Sequence, residues 1–518
     1  MINRVSGLAS GIDTEGLISQ LMQAKRASVD KLYQNKQTIQ WQREAYRDMN
    51  TKIYDFRNNK LSSYRLEGTF AAKTVDVAGN AAAISAKATG NAVNGTFKIE
   101  VKEMATAASN YSAGDIRKTG QKIDPTLTLS TQVEKFDVFD PGGNEFTING
   151  TKVKFDPTKD SLNDVIDRIN KTTDVNAFYD STTGFVSFVS KNTGLVNNPS
   201  DPASDSAAPG TNLGERITFS GNFLTQSLKV ATGGPNEKVA VNAKVSINGM
   251  PEGSYASNKI TVNGVEVTLL KKDPGNPATL TVDTDTNKIM DTVKAFVKDY
   301  NDILQTLNDK LNEARYKSFQ PLTDTQKKDM KESDITQWEE KAKSGMLKND
   351  DILSRAVSTM RLDVFSQVET GSKKYKTLAS IGIETGEYIE RGKLYIKDES
   401  KLKEAIEKEP EAIMALFTAT GNGDSDQSDI GIAKRLYDHA QLTLNEMIQK
   451  AGSPGSFDTG AKDQSYIGKK LYLLDKDIDV ANERIKNQED MYYRKFTAME
   501  AVINKYNSQS SYLSQLSQ

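Results

Sequence analysis

The chain has no cysteine and a single histidine, His439, among its 518 residues. Without cysteine there are no disulfides, no thiolate metal sites and no thiol nucleophiles, so the fold holds by packing alone. One histidine leaves little of the commonest acid–base group near neutral pH, which is also the commonest nitrogen ligand for metals. Both absences weigh against an enzyme. An excess of one charge is missing too: 67 basic and 69 acidic side chains give a net charge of −2. No global field therefore draws nucleic acid or anionic lipid. Apolar runs such as "AIMALFTA" (412–419) fall far short of the roughly 18 residues that cross a bilayer, so no membrane insertion is expected. The first residues carry one charge, Arg4, and their apolar positions are broken by Gly7, Ser10 and Gly11. They lack the apolar segment of a cleaved secretory signal, and export would use another route.

Proline is absent before Pro125, and two long periodic segments occupy the ends of the chain. "SGLASGIDTEGLISQLM" (6–22) starts a helix: Asp13 or Thr14 can accept from the first free N–H groups, and Glu15 suits the positive end of the helix dipole. Apolar residues then recur at Ile18, Met22, Val29, Leu32, Ile39, Tyr46 and Ile53. Near the other end Leu471, Ile478, Ile485, Tyr492, Met499, Tyr506 and Leu513 stand seven apart. Leu474, Ala481, Val502 and Leu516 fall between them, which makes a heptad seam. Polar residues interrupt it at Lys36, Arg43, Gln488, Lys495 and Gln509. Two such helices flanking a globular middle read as assembly elements that order when they meet partners. The polar positions are expected to weaken the seam and favour exchange between registers.

Between about 73 and 284 the texture is alternating Val, Ile, Thr and Phe. "FTINGTKVKF" (146–155), "VSINGM" (245–250) and "ITVNGVEVTLL" (260–270) each carry Asn-Gly, which supplies the two positive φ values of a type I′ turn. "DSLNDVIDRIN" (160–170) reads as a capped helix with Leu162, Val165, Ile166 and Ile169 on one face. "NNPSDPASDSAAPGTNLG" (197–214) is a surface loop. Helical texture returns at 287–311, with Ile289, Val293, Phe296, Tyr300, Ile303 and Leu307 on one face, and "GSPGSFDTG" (452–460) is a linker. The fold class is α+β multidomain, with terminal coiled-coil helices, a helix-rich core domain and inserted antiparallel β domains. The expected division is 1–45, an assembly helix; 46–72 with 285–450, the core; 73–115 with 223–284, a β domain; 116–222, a second inserted β domain; and 451–518, linker and C-terminal helix.

Motifs for chemistry fail on inspection. "DTDTN" (283–287) opens like a calcium-binding hand but has Lys288 and Lys294 where glycine and a bidentate glutamate belong, and "DSDQSD" (424–429) fails similarly. "GEYIERGKL" (386–394) has the wrong spacing for a phosphate loop and Leu394 where Ser or Thr should hold magnesium. His439 lies in a helical context with no second histidine and no nucleophile-elbow serine, which makes it a structural or exposed residue. No catalytic, metal or cofactor site is indicated.

The opening stretch resembles the N-terminal signature of the bacterial flagellar filament-capping, or hook-associated protein 2, family. "INGTKVKFDPTKDSLNDVIDRIN" is similar to the insertion motif of flagellins and hook-associated proteins, and "TVKAFVKDYNDILQTLN" to the helix by which the family leaves its β domains. "LASIGIETGEYIERGKLYIKDESKLKEAIEKEPEAIMALF" (378–417) and "FTAMEAVINKYNSQSSYLSQL" resemble its hairpin-helix element and its ending. The resemblance implies a structural cap at the distal tip of the filament that retains exported flagellin and guides its polymerisation. It also implies a homo-oligomeric ring of about five copies, contact with flagellin and other hook-associated proteins, an export chaperone, an extracellular location and no cofactor. Three alternatives stay open: another flagellar axial protein, such as flagellin or a hook–filament junction protein; an adhesin using 73–284; and a carbohydrate hydrolase on the β domains.

Overall fold

The computed structural model describes residues 13–195, 216–423, 427–455 and 463–516. The loop read at 197–214 lies outside these, as do Asp424 to Asp426 and much of the 452–460 linker. The chain forms two compact units, Ala72–Asp285 being inserted into a unit made of Met1–Ala71 and Thr286–Gln518.

The inserted unit contains β1 (Lys73–Gly79), β2 (Ile84–Ala88), β3 (Gly95–Glu103), β4 (Ala107–Tyr111), β5 (Glu145–Ile148), β6 (Thr151–Lys154) and β7 (Val175–Asp180). It continues with β8 (Phe185–Thr193), β9 (Phe219–Ser220), β10 (Ala243–Ile247), β11 (Gly253–Tyr255), β12 (Lys259–Val262), β13 (Val265–Leu269) and β14 (Ala278–Thr284). They pair as four antiparallel sheets, ordered β1-β14-β3-β10-β11, β12-β13-β2, β4-β8-β7 and β6-β5-β9. The Asn-Gly pairs set the turns. Asn149-Gly150 and Asn263-Gly264 are the two-residue loops of β5–β6 and β12–β13, and Asn248-Gly249 turns the chain after β10, all six at positive φ.

The buried residues of this unit fall into two cores. The first two sheets share one, drawn from 83–105 and 243–282, with Phe97, Ile99, Val265, Val267, Leu280 and Val282 at its centre. The other two sheets enclose a second, drawn from 108–240, with the helix Leu162–Thr172 against it. That helix starts on a capping box between Ser161 and Asp164 and buries Leu162, Val165, Ile166 and Ile169. The second core extends past 116–222 on both sides. Ala108 and the segment containing Phe223, Leu224, Leu228, Val230 and Ala240 belong to it. At its base Thr106 and Val241 exchange backbone bonds of 2.9 and 3.2 Å.

In the outer unit, helix Thr286–Asn312 buries the apolar face its periodicity defines. Phe296 meets Phe417 edge-on at 5.0 Å, and Phe417 stacks on Phe70 at 4.8 Å. The N-terminal helix, Thr14–Asp55, runs into a π-type turn at Phe56–Leu61. A π turn holds one residue more than an α turn, so positions eight apart across it share a face. Arg57 and Arg65 accordingly both lie on the Tyr437 ring, 3.8 and 4.5 Å from its centre. Among the described residues no helix is long and apolar enough to cross a membrane.

Candidate assembly interface

The N-terminal helix begins where Asp13 accepts a 2.8 Å bond from Gly16 N, with Glu15 in the first turn. A Cβ on Gly16 would come within 2.3 Å of the Asp13 carboxylate, so glycine there keeps room for the cap. The C-terminal helix, Tyr466–Leu516, lies along it. Arg26 meets Glu489 at 3.4 Å, the Asn482 amide donates to Tyr33 Oη at 3.1 Å, and Lys36 meets Asp475 at 2.6 Å. Arg43 and Arg47 each reach Asp463 at 3.7 Å. One number rises as the other falls, so the helices are antiparallel.

The lower end of the pair is fastened to the globular part. Arg47 Nε donates to Ala451 O at 3.1 Å and the Asn50 amide to Leu444 O at 3.3 Å. Tyr46 donates to Asp350, and burial together with that carboxylate raises the phenol far above its ordinary range.

The sequence seam divides along its length. On the N-terminal helix Ile18, Met22, Val29, Ile39 and Tyr46 are buried and Leu32 is half-buried. On the C-terminal helix Leu471, Leu474 and Ile478 are buried, and Ala481, Ile485 and Tyr492 are half-buried. Further on, Met499 is exposed, and Val502, Tyr506 and Leu513 are 51%, 67% and 66% exposed. The side chain of Leu516 lies outside the described residues. The seam is thus partly an intramolecular core and partly an open face. A second heptad row, Tyr466, Leu473 and Val480, is also exposed, as are Leu17 and Leu21. Their seven-residue and four-residue spacings were available in the sequence but were masked by the stronger adjoining rows.

Lys36 and Arg43 correct the sequence reading. They do not loosen the seam, because both are paired with carboxylates of the opposite helix end, Arg43 within a buried pair. Breaking the buried Arg43–Asp463 pair strands a charge, so Arg43 fixes the register there, whereas the part-exposed Lys36–Asp475 pair adds little. Gln488 is half-buried, and Lys495 and Gln509 are exposed.

The remaining sequence candidates are structural elements. Asp283 sits in β14 opposite Thr74, and a helix starts at Thr286, so 283–287 is a strand-to-helix passage. Residues 386–393 form the tip of a hairpin between Ile383–Thr385 and Leu394–Ile396. His439 Nδ1 lies 2.8 Å from buried Asp363, whose hydrogen bond raises the imidazole above its ordinary 6.5 against the opposing effect of burial.

Two family models match the chain: Flagellar hook-associated protein 2 N-terminus over residues 10–108 and Flagellar hook-associated protein 2 C-terminus over residues 240–508. The matches stop where the second core begins and resume where it ends. The flagellar hook-associated protein 2 of Halalkalibacterium halodurans is 30% identical over 548 aligned residues, covering 99% of each chain. That of Escherichia coli K12 is 25% identical over 514 residues, covering 98% of this chain and 97% of that one. Among solved structures, the D1-D2-D3 domains of the flagellar cap protein FliD from Escherichia coli share the fold at a TM-score of 0.53. The identity is 21%, over 77% of this chain and 96% of that one.

Proposed function

The chain belongs to the flagellar hook-associated protein 2 family, and from that premise we infer that it is the structural cap at the distal tip of the bacterial flagellar filament. It retains exported flagellin and promotes its polymerisation. The work is mechanical rather than catalytic, and the family is a structural one. Membership in this family favours the cap over the other axial proteins.

The observation that carries the division of labour is the open apolar row on the C-terminal helix. Val502, Tyr506 and Leu513 repeat at helical spacing on a helix whose preceding half is already paired within the chain. A row of that length facing water is stabilised by a neighbouring copy or by filament subunits. The paired part, from Ile18 to Tyr46 and Leu471 to Ile485, is the leg of one subunit. The row Met499, Val502, Tyr506 and Leu513, with Leu473 and Val480, is the surface it offers to others. In this reading 1–45 and 451–518 are assembly elements, 46–72 with 285–450 supports them, and the inserted β unit, with its cores drawn from 83–105 with 243–282 and from 108–240, forms the plate. The partners are further copies in a closed ring of about five, flagellin, other hook-associated proteins and, before export, a chaperone. The site of action is outside the cell at the filament tip.

Deletion of the chain from its own bacterium tests this. The expected result is flagellin released into the medium as monomer, restored to filaments when the chain is supplied. Full-length filaments in the deletion strain would contradict it.

A further inference from the structure

The π-type turn at Phe56–Leu61 gathers basic groups that the rest of the fold leaves without counter-charge. Arg57 and Arg65 place their guanidinium carbons 3.8 and 4.5 Å from the centre of the one Tyr437 ring. All three residues are half-buried. Sharing a ring holds the two guanidiniums close enough for a single multi-oxygen anion to reach both. Arg57 Nη1 donates to Asn58 Oδ1 at 2.6 Å. Arg57 Nε, Arg65 Nε and Asn58 Nδ2 are buried with no acceptor among the described residues. Arg57 Nη2 and both Nη atoms of Arg65 also lack an acceptor there, and they are open to solvent.

The carboxylates of the neighbouring segments are committed elsewhere. Asp438, next to Tyr437, pairs with Lys434, and Asp55 accepts from Asn59. Asp299 takes Lys60 at 3.4 Å and the Tyr64 hydroxyl at 2.8 Å. Glu67 is exposed, and among the described residues no carboxylate forms an ion pair with Arg57 or Arg65. Two like charges this close repel, and the ring attracts each without neutralising it. A π turn within an α-helix is, besides, a register found frequently at functional sites.

Guanidinium forks match the oxygens of a phosphate, and two of them match its double charge. We propose that Arg57 and Arg65 together bind one phosphate group beside the Tyr437 ring, as the free ion or as a phosphomonoester. Arg57 Nη2 and the Nη atoms of Arg65 donate to its oxygens. A monoanion such as acetate would leave one of the two charges unmatched. Binding here needs no other copy of the chain and is independent of capping.

Phenylglyoxal labelling of the full chain, mapped by mass spectrometry, tests it without altering the protein. Inorganic phosphate or phenyl phosphate at about 10 mM should slow labelling of Arg57 and Arg65 at least about threefold. Labelling of exposed Arg391 should not change, and acetate should protect neither site. Stronger protection by phenyl phosphate assigns a phosphomonoester, and equal or stronger protection by inorganic phosphate assigns the free ion. Phosphorus NMR should show line broadening of the bound compound that falls at least about tenfold in Arg57→Gln/Arg65→Gln. No protection by either phosphate compound, equal protection of Arg391, equal protection by acetate, or undiminished broadening in the folded double variant would overturn the assignment.

Discussion

Substituting aspartate separately at two seam positions of one helix distinguishes the paired leg from the open face. Leu474 is 7% exposed, and Val502, four heptads' rows further along the same seam, is 51% exposed. Leu474→Asp removes a buried leucine, worth about 2 kcal/mol of transfer free energy, and places a carboxylate where burial costs several kcal/mol more after relaxation. The leg is two helices wide and gains about 1.5–3 kcal/mol from each fully buried apolar side chain. A loss of about 4 kcal/mol should therefore open much of the pair in the isolated protein. Val502→Asp changes a side chain already half in water, and its effect on the isolated protein should stay within about 0.5 kcal/mol. Hydrogen exchange followed by mass spectrometry separates the two. Peptides from 14–40 and 466–485 should lose protection in Leu474→Asp and keep it in Val502→Asp, with the melting of the inserted unit unchanged in both. Cells carrying either variant should leak monomeric flagellin, and exposed Glu483→Gln should not. Normal filaments with Val502→Asp, or loss of leg protection in that variant, would refute the division of the seam.

Excision of 107–240 with an Asn-Gly turn joining Thr106 to Val241 should leave a cooperatively melting protein, because those residues already form a doubly bonded antiparallel pair of the kind that flanks a two-residue hairpin loop. Excision of 116–222 should instead aggregate, since it strands Phe223, Leu224, Leu228 and Val230; calorimetry and light scattering compare the two. Asp463→Asn removes the carboxylate shared by Arg43 and Arg47 and should destabilise the base of the leg by about 3 kcal/mol, read as faster exchange over 36–47. His439 contributes stability that is fully present below its ordinary 6.5 and is lost as pH rises through its raised folded-state value. Chemical denaturation across that range should show the loss in the unaltered chain and not in Asp363→Asn.

Local geometry was legible in the sequence wherever one residue type answers one backbone demand. Asn149-Gly150 and Asn263-Gly264 announce their turns because few other pairs accept two positive φ values. Ser161 with Asp164 announces a helix start, and the face of 286–312 follows from its period. Periodicity identifies an apolar face but not what covers it, so Leu474 and Val502 read alike although one is buried and the other open. The partners of Lys36 and Arg43 lie more than 400 residues away in sequence, where no local signal reaches. The limits of the second core were misplaced for a related reason. Phe223 to Ala240 return to strands formed more than a hundred residues earlier, and no local signal in the sequence marks that return.

Electron microscopy of filaments from cells expressing the epitope-tagged chain, decorated with gold-labelled antibody, tests the capping claim most directly. One gold cluster at the distal end of each filament, absent from the shaft, is the predicted result. Label distributed along the shaft, or confined to the cell-proximal end, would contradict it.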